Sequence, residues 1–212
     1  MDSLQPVVLI VSGNSHLCSE LREMLVARGM AVSAVESAID YLTHGRRAAA
    51  SCLIVDASLP EMSGFELQRR VRGTDAPVVI VSGRGQICDS VSAMKLGAID
   101  YLALPADPDA LLAAVQAAIA QDRAGRARRQ RFISLTPRER EVAALVVRGL
   151  RNKIIAADLG ISLVTVQIHR RKVMRKMNAR SLPDLVRMTD ALGFSTQVSA
   201  VAHTGMLFSQ AS

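Results

Sequence analysis

Tryptophan is absent from this 212-residue chain, and two tyrosines and four phenylalanines are its only other aromatic rings besides histidine. A surface that stacks unpaired bases leans on aromatic side chains, so this scarcity argues against single-strand or RNA recognition. Cysteine is scarce too: Cys18, Cys52 and Cys88 are odd in number and form no CxxC pair. That pattern reads as reduced thiols in a cytoplasm rather than disulfides or a zinc site. The four histidines (His16, His44, His169, His203) show no metal-ligand or triad spacing, so neither a metal site nor an enzyme is expected. No apolar run approaches the roughly 18 residues that would span a bilayer, and the N-terminal MDSLQPVVLIVSG is too short in its apolar part for a signal peptide. The expectation is a cytoplasmic protein without a membrane partner.

Acidic residues run short in the second half. Residues 1–122 carry 9 Lys and Arg against 14 Asp and Glu, a net −5. Residues 123–212 carry 17 against 5, a net +12, which brings the whole chain to +7. Half the residues are apolar, enough for two small cores. An acidic half joined to a basic half implies separate tasks, the basic one facing a polyanion.

The acidic half alternates short β-branched runs with amphipathic stretches. Strands are expected at Val7–Val11, Ala31–Val35, Cys52–Val55, Val78–Val81 and Ile99–Leu102, and helices at Ser15–Arg28, Ser37–Thr43, Gly64–Arg72, Ile87–Leu96 and Asp107–Ala120. Five strands alternating with five helices imply an α/β fold, a five-stranded doubly wound parallel sheet covered on both faces. The working crevice of such a sheet lies beyond the carboxyl ends of its strands. The residues there are Ser12, Gly13 and Asn14, then Asp56, then Ser82, Gly83 and Arg84, then Leu104 and Pro105. Ala118–Phe132 passes into an arginine run almost free of apolar residues, and reads as an exposed linker over 122–132 or a solvent-facing helical extension.

The basic half reads as all-α. Thr136, Pro137 and Glu139 form a helix start, with a hydroxyl cap, a first-turn proline and a carboxylate three residues on. Leu150–Met177 then reads as two helices around a tight turn, the first stopped by Gly160 and the second capped by Ser162. On the second helix Val166, His169, Arg170, Val173 and Met177 share one side, and Val164, Gln167, Ile168, Arg171 and Arg175 share the other. A side that mixes cations, an amide and small aliphatics suits the major groove, so this is read as a helix-turn-helix for duplex DNA. A last helix over about Ser181–Leu192 is more apolar than one core face requires and suggests a homodimer.

Two resemblances attach to these residues. CLIVDASLPEMSGFEL, APVVIVSGRG and AMKLGAIDYLALP together resemble the receiver domain of NarL/FixJ-type two-component response regulators over about residues 6–121. LTPREREVAALVVRGLRNKIIAADLGISLVTVQIHRRKVMRKMNARSLPDLVRM resembles the LuxR-type helix-turn-helix over about 133–194. The organisation expected is a receiver-like domain at 1–121, a linker at 122–132, a four-helix DNA-binding domain at 133–195 and a tail at 196–212. The receiver resemblance places Asp56 at the phosphoacceptor position, Ser82 at the hydroxyl position and Tyr101 at the aromatic position that follows activation. It also shows two losses: Ser12 and Gly13 stand where the family has an acidic pair that holds Mg²⁺, and Leu104 stands where it has a lysine. Mg²⁺ binding is therefore expected to be weak or absent, no cofactor is expected, and phosphorylation is not expected to be the switch. The DNA-binding resemblance makes Gln167, Ile168 and Arg171 base-edge candidates, with Ile168 against a thymine methyl. It makes Asn152, Lys153, Thr165, His169, Lys172 and Arg175 phosphate candidates. The implied function is a DNA-binding transcription regulator. Its alternatives are an adaptor whose receiver binds a histidine kinase or other signalling protein, and a regulator phosphorylated on Asp56 by an unusual route.

Overall fold

A computed structural model describes residues 5–43, 50–71, 76–83 and 87–193, with the side chains of 87–89 excepted. Arg84, the Cys88 side chain and the 196–212 tail lie outside that description. The chain divides into two compact units, Met1–Ala124 and Gly125–Ser212.

Unit one alternates strand and helix: β1 (Val7–Val11), α1 (Ser15–Val26), β2 (Ala31–Val35), α2 (Ala38–Thr43), β3 (Ala50–Asp56), α3 (Gly64–Val71), β4 (Val78–Ser82), α4 (Ile87–Lys95), β5 (Asp100–Ala103) and the start of α5 (Pro108–Ile133). The strands are all parallel, in the order β2-β1-β3-β4-β5. Parallel strands need helical crossovers, which cover both faces, and that is why β3 and β4 are buried along their whole length instead of alternating. One face packs Leu9, Val11, Leu53, Val55 and Ile80 against Tyr41 of α2, Leu67 and Val71 of α3 and Ala93 of α4. The other packs Val8, Ile10, Ile54 and Val79 against Leu17, Leu21 and Leu25 of α1 and Leu111, Val115 and Ala118 of α5. Buried Gln68 joins α3 to α4 by donating its Nε2–H to the carbonyl of Ala93 at 3.1 Å.

The β3–α3 loop is closed by a glycine. The N–H of Gly64 donates to the carbonyl of Ala57 at 3.1 Å, and a Cβ at Gly64 would lie 2.4 Å from the carbonyl oxygen of Asp56 and 2.9 Å from the Cα of Ala57. Both obstacles are backbone, so no rotamer relieves them. Gly64→Ala is expected to cost about 1–3 kcal/mol, read as an earlier thermal transition. An unchanged transition would show that the loop opens freely.

The second unit is helical, with α6 (Pro137–Val147), α7 (Asn152–Asp158), α8 (Leu163–Met177) and α9 (Leu182–Asp190). Val142 and Val146 of α6, Ile155 of α7, Val166, Val173 and Met177 of α8 and Leu185 of α9 form its core. Side chains cap the starts of α6, α8 and α9. Thr136 and Glu139 complete a capping box on α6, Ser162 accepts the N–H of Thr165 at 3.0 Å on α8, and Ser181 accepts that of Asp184 on α9. Gly160 supplies the left-handed φ of +62° that the turn between α7 and α8 needs.

Of the two readings offered for residues 122–132, an exposed linker or a helical extension, the structure has the second. These residues continue α5 as helix, and Asp122, expected on an exposed segment, is 7% exposed. Ala, Gln and Arg are strong helix formers, and a single interior glycine, Gly125, costs only about 1 kcal/mol.

Candidate functional sites: a strand-end aspartate and an exposed helix face

Sheet register sets the first site. Val11 pairs with Val55, Asp56 with Val81, and Ser82 with Ala103, so Ser12, Asp56 and Ser82 gather at one end of adjacent strands. All three are buried. The hydroxyl of Ser12 donates to Oδ2 of Asp56 at 2.8 Å, and the N–H of Ser58 donates to Oδ1 at 2.8 Å. The Ser12 hydroxyl in turn accepts the N–H of Asn14 at 3.1 Å. Asn14 is spent on α1, its Oδ1 accepting the N–H groups of His16 and Leu17. Gly13 carries no side chain, and a Cβ there would find only ordinary contacts, 3.4 Å from the Glu36 carbonyl and 3.4 Å from Cδ of Pro60.

The remaining pocket positions follow β4 and β5. Leu104 donates its N–H to the carbonyl of Ser82 at 2.9 Å, its bond to Pro105 is cis, and its side chain packs on the cluster under α1 and α5. Tyr101 is half-buried against the opposite cluster. Neither cysteine thiol described offers chemistry here. Burial pushes Cys52 up to about 12, with the nearby Asp122 charge adding to it, and burial likewise raises Cys18, whose Sγ–H points to the carbonyl of Ser12 at 3.5 Å. Among the described residues no three His, Cys, Asp or Glu side chains gather where a metal could sit.

The second site is the outer face of α8. Val166, Val173 and Met177 are fully buried, while Val164, Gln167, Ile168, Arg171, Lys172 and Arg175 are exposed. Lys153 on α7 is exposed as well. Three phosphate candidates are more constrained than their sequence positions suggested. Asn152 accepts the Arg170 guanidinium at 2.9 Å through Oδ1, a bond that ties α7 to α8 and leaves only its NH₂ for a phosphate. The Thr165 hydroxyl lies 2.8 Å from that of Ser162 at the helix cap. Nδ1 of His169 is buried without a hydrogen-bond partner, which leaves Nε2 to meet a phosphate. Sequence reasoning placed Arg170 on the packed side but missed its partner, because a contact across 18 residues has no periodic signature.

A doubly wound parallel sheet with an aspartate at the carboxyl end of its central strand, joined in one chain to a helix-turn-helix, defines a receiver domain coupled to a DNA reader. Comparisons with known proteins agree. The family described as response regulator receiver domain matches residues 8–116, and that described as bacterial regulatory proteins, luxR family, matches 133–189. The chain is 36% identical to the response regulator protein TodT of Pseudomonas putida over 201 residues, 91% of this chain and 88% of TodT. It is 40% identical to the transcriptional regulatory protein FixJ of Azorhizobium caulinodans over 190 residues, 85% and 90% of the two chains. The solved structure of the response regulator StyR is similar, at 38% identity with a TM-score of 0.53 over 88% of this chain and 99% of that one. Full-length FixJ from B. japonicum is similar at 31% identity and a TM-score of 0.52, over 90% and 98%. The chain belongs to the response regulators, as a transcriptional regulator of the FixJ type with a LuxR-family DNA-binding domain. No helix among the described residues is long and apolar enough to cross a membrane.

Proposed function

We propose that this regulator binds duplex DNA as a homodimer through α8, and that its receiver controls that binding without phosphorylation of Asp56. The observation that carries the receiver half is the Ser12–Asp56 hydrogen bond. It ties the acceptor carboxylate to a neutral hydroxyl at the place where the receiver resemblance asks for acidic metal ligands. Mg²⁺ takes near-octahedral oxygen ligands, with carboxylates in the leading role. A serine hydroxyl and a side-chain-free Gly13 beside one aspartate do not fit that demand. Leu104, packed on an apolar cluster, offers no ammonium to a phosphoryl group. A histidine kinase or another signalling protein is then met as a docking partner rather than as a phosphate donor. Asp56→Asn should leave DNA affinity unchanged.

The exposed face of α8 supports the DNA half. Arg171 can grip guanine O6 and N7 with two hydrogen bonds and Gln167 can pair with adenine, whereas Lys153, Lys172 and Arg175 meet phosphates. Arg171→Ala should cost about 1–3 kcal/mol at one base position, and Lys172→Ala should weaken all sequences alike and flatten the salt dependence. Binding curves on matched and scrambled duplexes at several salt concentrations separate the two. Equal loss on every sequence from both variants counts against this docking. One α8 reads too few bases to be selective, so an inverted repeat with two protomers per duplex is expected. A single protomer per duplex at saturation would sink the homodimer.

A further inference from the structure

We propose that Val164 acts with Ile168 as a reader of thymine C5-methyl groups, so that each half-site carries two methyl-dependent positions beside the base pair held by Arg171. The proposal rests on the groove-reading role of α8. Val164 is 63% exposed and Ile168 48% exposed, although the domain core beneath them is complete, with Val166, Val173 and Met177 sealed at 0–1%. At about 100° per residue, Val164, Ile168, Arg171 and Arg175 fall on the line opposite that buried stripe. The line is divided. Its N-terminal half is aliphatic and its C-terminal half cationic.

Charge identifies the occupant. Exposed aliphatics alone would suit an apolar protein partner as well, but these are bordered by Arg171, Lys172 and Arg175, and the first turn of α8 carries no acidic residue. That border suits a polyanion. In the major groove the one apolar group on a base edge is the thymine methyl, and the N-terminal residues of a recognition helix are those that meet base edges. Four residues advance the helix by about 6 Å, roughly two base-pair steps at 3.4 Å each. The two side chains therefore reach separate thymines. The sequence placed Val164 on the outward side of α8 but not among the base-edge candidates.

The test uses the full chain. Duplexes enriched by it from a random-sequence pool have their thymines replaced one at a time by deoxyuridine, which removes the methyl and leaves every pairing edge intact. Burial of one methyl corresponds to about a fourfold change in affinity. The wild-type protein should show that loss at two positions in each half-site. Val164→Ser should erase the loss at one of them and Ile168→Ser at the other, with salt-dependent binding to unrelated duplex retained as the sign of a folded domain. If no enriched thymine shows a uracil penalty, or both penalties survive both variants, the proposal is overturned; the uracil scan decides this with wild-type protein alone. A chain that enriches no duplex, and binds without salt dependence, would overturn the groove-reading function itself and the methyl reading with it.

Discussion

Incubation of the full chain with acetyl phosphate and Mg²⁺ is expected to leave its intact mass unchanged over minutes to hours. Phosphoryl transfer to a carboxylate needs charge neutralisation where the incoming group lands, and a fixed cation to hold the product. In this pocket Asp56 is buried between the Ser12 hydroxyl and the Ser58 N–H, both neutral donors, and the Leu104 side chain lies on an apolar cluster. One charge-assisted hydrogen bond is worth about 1.5–3 kcal/mol, so the missing lysine alone slows trapping of the product, while the missing metal ligands remove the catalyst. Restoring the groups together as Ser12→Asp, Gly13→Asp and Leu104→Lys should bring back Mg²⁺ binding and an acid-labile phosphoryl group on Asp56. The backbone permits this, since a Cβ at Gly13 meets nothing closer than 3.4 Å. Leu104→Lys by itself should not suffice, because it supplies no metal ligand. A rapid gain of one phosphoryl group by the wild-type chain, abolished in Asp56→Asn, would overturn the phosphorylation-independent reading.

The sheet was legible because parallel strands buried on both faces leave the plainest pattern a sequence can carry. β1 and β2 occupy Val7–Val11 and Ala31–Val35, the residues expected from their β-branched runs. The strand-end positions followed, since topology alone brings Ser12, Asp56 and Ser82 together. That Ser12 turns its hydroxyl onto Asp56 was not legible, because rotamers and distances of about 3 Å leave no trace in periodicity. The buried stripe of α8 was readable from its 3.6-residue repeat, with Val166, Val173 and Met177 sealed as their spacing implies. The end of α5 was open between linker and helix for a physical reason. A run almost without apolar residues carries no burial periodicity to choose between them, and helix formation there needs only good formers and few breakers. Other long-range polar partners were equally invisible in the second half, as Arg170 with Asn152 and Lys176 with Glu139 illustrate.

That last pair carries the largest stability effect expected in the DNA-binding domain. Glu139 is 3% exposed, accepts the N–H of Thr136 at 2.9 Å as the far half of the α6 capping box, and accepts the Lys176 ammonium at 2.6 Å. Lys176 also donates to the carbonyl of Ser134 at 3.1 Å, so one ammonium clamps α8 to the start of α6. Burial pushes the Glu139 carboxyl up, but the Lys176 ammonium and the Thr136 N–H outweigh it and hold the group below the ordinary carboxylate range. A carboxyl lowered in the folded state contributes stability that is fully present above its unfolded value, near 4.3, and is lost as pH falls through the folded value. Urea titrations of the full chain should therefore find this contribution constant from neutrality down to about pH 5 and failing below it. Lys176→Met leaves a buried carboxylate without its cation and should cost roughly 3 kcal/mol at pH 7, on the order of 15 °C in the transition of a domain this size. It should also shrink the acid-side loss, because Glu139 then titrates closer to, or above, its unfolded value. A variant that unfolds at the wild-type urea concentration at pH 7, with the same acid-side loss, would mean that solvent already holds Lys176 and that the capping box alone keeps Glu139 ionised.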